Sequence, residues 1–138
     1  MIRACPSCGQ KNRIPPEHLH ETGNCGKCKA ALPPIDAPID VNAAEFDAIS
    51  KNAKVPVLVD FWAAWCGPCR MAAPEVKLVA SQMAGKAVVL KVDTEANPEL
   101  SARFQIRGIP NFMVFKGGQK VLEQPGLVQA AQMKSWLT

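Results

Sequence analysis

Residues 55–83 read VPVLVDFWAAWCGPCRMAAPEVKLVASQM. Two periodicities meet in this stretch. VPVLVDFWA (55–63) is a near-continuous apolar run of strand length, the pattern of a central strand buried on both faces. From Pro68 to Met83 the apolar residues change spacing, and Val76, Val79 and Met83 recur on one side of a helix. Pro74 removes an internal hydrogen bond and is expected to kink that helix. Between strand and helix lies WCGPC (65–69). Cys66 opens the helix, where free N–H groups and partial positive charge stabilise a thiolate and lower its pKa. Cys69 follows one helical turn on, facing back toward Cys66, so the pair closes a small disulfide with little backbone movement. Pro68 fits the first turn. Asp60 is out of pattern: it stands where the strand wants an apolar residue, and burial raises the pKa of a carboxyl.

Outward from this unit, strand and helix alternate. IDV (39–41) is a short strand, and Asn42 caps a helix over 43–52 with Phe46 and Ile49 on one face. AVVLKVD (87–93) is another buried strand. NPELSARF (97–104) reads as a helix with Asn97 as cap and Pro98 at its first position. NFMVFK (111–116), a Gly-Gly turn at 117–118 and QKVLEQ (119–124) form a hairpin. LVQAAQMKSWL (127–137) is an amphipathic closing helix carrying Leu127, Ala130, Met133 and Leu137. The order βαβαβαββα packs as a three-layer α/β/α sandwich. Met71, Met83, Met113 and Met133 read as packing residues. Of the two tryptophans in this segment, Trp62 is the better core candidate.

Residues 1–32 differ: they are Cys-rich and basic, with almost no apolar periodicity. LPPIDAP (32–38), with three prolines, is a stiff extended connector. The expected division is a small module over 1–32, a linker over 33–38 and an α/β domain over 39–138. Cys5 and Cys8 are two residues apart, as are Cys25 and Cys28, with sixteen residues between Cys8 and Cys25. That spacing is a zinc signature, since two intervening residues let a turn place both sulfurs on one tetrahedral ion. A stretch with so little core would draw its folding energy from the metal. The expectation is one zinc ion on Cys5, Cys8, Cys25 and Cys28. Two disulfides, or iron on the same sulfurs, are the competing readings. His18 and His20 read as solvated loop residues. CPSCG and CGKC each place a glycine where a knuckle turn wants positive φ or close backbone approach.

The formal net charge is +4, and residues 1–34 hold five basic against two acidic side chains. Four thiolates with zinc carry −2, which this excess offsets. Nucleic-acid binding is disfavoured because no aromatic residue interleaves the basic ones. No run is long enough to span a bilayer, and the N-terminus has no signal-peptide pattern, so a cytoplasmic location is expected. In such a compartment six cysteines mean metal or redox chemistry rather than structural disulfides. No Gly-rich nucleotide loop is present, and no organic cofactor is expected.

VDFWAAWCGPCRMAAP (59–74) resembles the active-site segment of the thioredoxin family, and the likeness continues through KVDTEANPEL (91–100), RGIPNFMVFKGG (107–118) and PG (125–126). With the N-terminal knuckles, the chain resembles the zinc-containing second type of bacterial thioredoxin. The resemblance implies a thioredoxin-like fold with a central mixed sheet, a zinc-ribbon-like module before it, and protein-disulfide reduction. It implies that Cys66 is an exposed nucleophile, Cys69 a buried resolving thiol, Asp60 the acid beneath them and Lys91 its neighbour. Pro110 matches the family's cis-proline and leaves the Ile109 backbone open to pair with a substrate strand. Trp65, Gly67, Pro68, Ile109 and Gly126 would form the docking rim. Asn111 departs from the family's threonine and adds a polar group near that edge. Implied partners are disulfide-containing proteins and a thioredoxin reductase, met by a monomer. A different class remains open, in which the zinc module is the functional part of a redox-sensing adaptor or chaperone-like binder.

Overall fold

The computed structural model describes residues 1–138. Nine strands and four α-helices follow in order. Ile2–Ala4 (β1) pairs with Lys11–Arg13 (β2), and Gly23–Asn24 (β3) pairs with Ala31–Leu32 (β4), giving two small antiparallel ribbons. The remainder is Ile39–Asp40 (β5), Ala43–Asn52 (α1), Val57–Trp62 (β6), Gly67–Gln82 (α2), Val88–Asp93 (β7), Pro98–Arg103 (α3), Asn111–Lys116 (β8), Gln119–Pro125 (β9) and Ala130–Ser135 (α4).

β5 to β9 form one five-stranded sheet in the order β5-β7-β6-β8-β9. β6 runs parallel to β7 and antiparallel to β8, so the sheet is mixed. As the apolar run requires, β6 is central and buried on both sides. Side chains alternate strictly along it. Val57, Val59 and Phe61 join a core with Phe46, Ile49 and Leu100 from α1 and α3, while Leu58 packs with Val76, Val79 and Met133 from α2 and α4. Asp60 shares the parity of Leu58 and therefore points to the α2 side, with Lys91 of β7 and Phe112 of β8 as its cross-strand neighbours. On the other face Phe46, Phe61, Phe104 and Phe115 meet edge to face.

Local chemistry accounts for the boundaries. Asn42 and Glu45 form a reciprocal capping box at α1. Gly117 and Gly118 both take positive φ, which the two-residue hairpin turn demands. α2 runs on through Pro74, whose missing N–H leaves one carbonyl of the preceding turn without its usual donor.

Several expectations are corrected. Asn97 stands at the N-cap position before Pro98 as expected, but its side chain makes no capping bond and donates instead to the Asp93 carbonyl. The closing helix begins at Ala130, and Leu127, expected on its apolar face, is exposed, because Gly126 at φ +92° turns the chain before it. Met71 is 64% exposed and is no packing residue, whereas Met83, Met113 and Met133 are buried.

The ribbons do not hang free. Leu19 is buried in the α1/α3 core, the Ile35 N–H donates to the Leu19 carbonyl at 3.1 Å, and the turn Pro16–His18 lies against α1. His20 and Pro34 sit beside Gly85, in the loop leading into β7. His20 is correspondingly half-buried rather than solvated. All these contacts lie on the α1 side and at the start of β7, whereas WCGPC follows the far end of β6.

Candidate active site and metal centre

The two N-terminal knuckles are built alike. Gly9 donates to the Cys5 carbonyl and Lys29 to that of Cys25; Cys5 donates to Gln10 and Cys25 to Ala30. The N–H groups of Ser7 and Lys27 each point at a sulfur, Cys5 and Cys25 Sγ, at 3.4 Å. Gly9 takes the left-handed position at φ +77°, as the sequence suggested. In the second knuckle that position falls to Lys29 at φ +65°, not to Gly26, whose N–H instead donates to Asn12 Oδ1 at 3.0 Å. Asn12 also donates to Cys25 Sγ and so ties the knuckles together. Sequence reasoning missed it because a lone Asn in a short ribbon carries no periodic signal.

The sulfurs of Cys5, Cys8, Cys25 and Cys28 all lie within 4.8 Å of one another. Cys5–Cys28 and Cys8–Cys25 are each 3.6 Å apart. A tetrahedron with bonds of about 2.3 Å has edges of about 3.8 Å, so the donor set fits a four-coordinate metal. Its electrostatics ask for one. The Cys28 and Lys27 N–H groups hold Cys25 down to about 5, against burial. The Gln10 N–H lowers Cys8, yet burial and the three neighbouring sulfurs push it up to about 12. Four sulfurs at these distances cannot all ionise without a cation. Cys5 and Cys25 are buried while Cys8 and Cys28 are exposed. His18 stays outside the cluster, bonded to Glu21 at 2.7 Å.

At the other end of the molecule Cys66 is the N-cap of α2, and Cys66 and Cys69 are joined as a disulfide with their Cα atoms 5.2 Å apart. The Cys69 N–H donates to Cys66 Sγ at 3.1 Å, the arrangement that steadies negative charge on that sulfur once the bond opens. Cys66 is not exposed as expected: both cysteines show 3% of their surface, packed with Ala63, Trp62 and Ile109. Cys66 Sγ lies 3.6 Å from the Ile109 carbonyl oxygen. The Ile109–Pro110 bond is cis, and the Pro110 carbonyl accepts the Gly126 N–H at 2.8 Å. Ile109 and Gly126 are thus brought to the disulfide, together with Gly67 and exposed Pro68 at the start of α2. Trp65 is 66% exposed and its indole N–H donates to Glu95 at 2.6 Å. Asn111 is buried, donating to Glu123 at 3.0 Å, and its Oδ1 is unpartnered.

Asp60 is 1% exposed with an unpartnered Oδ1. Burial raises its pKa to about 7, and the Lys91 charge only partly opposes this. Lys91 is beside Asp60 in register, but its ammonium makes no ion pair there and instead sits 4.4 Å over the Trp62 ring. Trp62 is a core residue in part only, with its buried Nε1 unpartnered.

Residues 37–138 match the family described as Thioredoxin, and residues 4–30 match Thioredoxin 2, N-terminal. Thioredoxin C-3 of Corynebacterium nephridii is 44% identical over 137 residues, covering 99% of this chain and 93% of its own length. A bifunctional thioredoxin reductase/thioredoxin of Mycobacterium leprae is 46% identical over 83 residues, covering 60% of this chain and 18% of its own. Among solved structures, a single-residue mutant of thioredoxin from Halobacterium salinarum NRC-1 superposes with a TM-score of 0.69 at 35% identity, covering 75% of this chain and 89% of its own.

Proposed function

We infer, for a chain that belongs to the thioredoxin family and is a thiol–disulfide oxidoreductase, how the work is divided among its residues. Cys66 is the attacking sulfur. As a thiolate it displaces one sulfur of a protein disulfide, forming a mixed disulfide and releasing one substrate thiolate, which takes up a proton. Cys69 gives up its proton, attacks Cys66 Sγ and releases the second substrate thiolate. The substrate gains two electrons and two protons, and the Cys66–Cys69 bond closes. The observation that carries this assignment is the Cys69 N–H on Cys66 Sγ at a helix N-terminus, beside the Ile109 carbonyl. Asp60, buried on the α2 side with a pKa of about 7, is the base for the Cys69 proton, and Lys91 tempers it. Ile109 and Pro110 offer the backbone edge, and Trp65, Gly67, Pro68 and Gly126 complete the rim.

The metal is zinc, one ion on Cys5, Cys8, Cys25 and Cys28, supported by the sulfur spacing and the match to the N-terminal family. When bound it neutralises the thiolates and fixes both knuckles. The working division is residues 1–32, 33–38 and 39–138. Electrons come from a thioredoxin reductase, a pairing supported by the relative in which both activities share one chain. The protein acts as a monomer in the cytoplasm, where metal thiolates survive; no helix is long and apolar enough to cross a membrane.

The test is trapping. Reduced Cys69→Ser protein mixed with a disulfide-containing protein accumulates a covalent adduct through Cys66, whereas Cys66→Ser forms none. Equal adduct with both variants would refute the assignment.

A further inference from the structure

Trp65 and Ile109 line one cleft of about 210 Å³ beside the disulfide, and its mouth is charged. Glu95, in its lining, is held by the Trp65 indole. Arg107 lines the same cleft, exposed and without a carboxylate or any hydrogen-bond acceptor. Its neighbours are engaged. Arg103 is bonded to Asp47 and Glu99, and Arg70 donates to the Ala64 carbonyl. Arg107 is therefore a cation at the docking edge with its pairing capacity unspent. It lies two residues before Ile109 and lines the same cleft, so a strand laid on Ile109 passes within reach of the guanidinium.

We propose that Arg107 and Glu95 make this cleft a reader of client charge, favouring protein disulfides whose attacked cysteine has a carboxylate within two or three residues, placed against Arg107, over those with a basic side chain there. This rests on Cys66 as the attacking thiol and Ile109 as the docking edge. Arg107 touches the client segment and not the reacting sulfurs, so it sets recognition without taking part in exchange. Glu95, bonded to Trp65 in the same cleft, repels the same carboxylate and so disfavours its approach on the Trp65 side. Charge pairs at exposed sites are modest and fade as salt shortens their range.

The experiment uses the full, metal-loaded, reduced chain. Its substrates are two peptide disulfides, the oxidised dimers of Ala-Glu-Ala-Cys-Ala-Glu-Ala and of the same peptide with Lys for Glu, with hydroxyethyl disulfide as an uncharged control. Second-order rates are measured for wild type, Arg107→Gln and Arg107→Glu. Comparing rate ratios between proteins cancels the peptides' own reactivities. From wild type to Arg107→Glu the Glu-to-Lys ratio falls about five-fold or more at low salt, as expected for reversing one exposed charge. Arg107→Gln lies between them, about 0.5 M salt narrows the spread, and hydroxyethyl disulfide is reduced equally by all three. An unchanged peptide ratio alongside normal hydroxyethyl disulfide reduction overturns the charge reading alone. Wild type that reduces none of the three disulfides overturns the assignment of Cys66 and this inference with it.

Discussion

Replacing Asp60 by Asn tests the buried acid directly. The unfolded carboxyl titrates near 3.8 and the folded one near 7. Below about pH 4 both states are protonated and Asp60 costs nothing. As pH rises the unfolded chain ionises first while the native state still holds its proton, so stability falls until the native group ionises too. The gap between those two values corresponds to about 4 kcal/mol, approached above about pH 7. That is an upper value, since water entering the site or a shift of Lys91 toward Asp60 would relieve it. The amide of the variant keeps the shape of the carboxyl and cannot ionise. The assay is guanidinium unfolding of the oxidised protein from about pH 4 to about pH 8.5, with wild type and Asp60→Asn run in parallel. Titration of the metal site cancels in the difference. The variant is expected to gain on wild type by several kcal/mol across that window. A difference flat to within about 1 kcal/mol would mean that Asp60 is not held neutral by burial, and the base assigned to Cys69 would go with it.

Two further outcomes concern the ribbon. Chelating the metal from the native protein is expected to unfold residues 1–32 and free four thiols to a thiol reagent, lowering Tm while slowing the reduction of a protein disulfide less than about two-fold. Loss of most of the activity would show that the module reaches the redox rim. Leu19→Ala, made with metal bound, removes a side chain buried in the α1/α3 core and is expected to cost about 2–5 kcal/mol in the unfolding of the sheet domain itself. A cost under about 1 kcal/mol would mean that the ribbon rests on the domain without completing its core.

What the sequence revealed was what lies close together along the chain. Cys5, Cys8, Cys25 and Cys28 announce themselves by spacing, since a knuckle is a local turn. β6 and α2 were legible because two periodicities meet at WCGPC, and Asp60 stood out as a carboxylate inside an apolar run. Neighbours brought together by the fold were not legible. Arg107, Glu95 and Asn12 look like ordinary surface residues until packing sets the first two in one cleft and the third between the knuckles. Leu19 sat in a stretch with no apolar period, and only docking shows it to be core. Local rules also misled. Asn97 before Pro98 has the composition of a cap, yet its amide is taken by the Asp93 carbonyl. Leu127 kept the helical spacing, but Gly126 turns the chain first. Lys29 shows that a left-handed position need not be filled by glycine.

The covered disulfide has a consequence for electron flow. With 3% of each cysteine in view, a dissolved thiol must displace part of the rim before reaching Cys66 or Cys69 in line. A protein docked on the proposed Ile109 edge would bring its own sulfur to that line. Exchange with the small-thiol pool is therefore expected to be slower than exchange with a fitted partner, even where the reduction potentials favour both. On that expectation the oxidised protein works as an insulated wire: access decides which molecule recharges it, and the bulk redox poise sets only the direction.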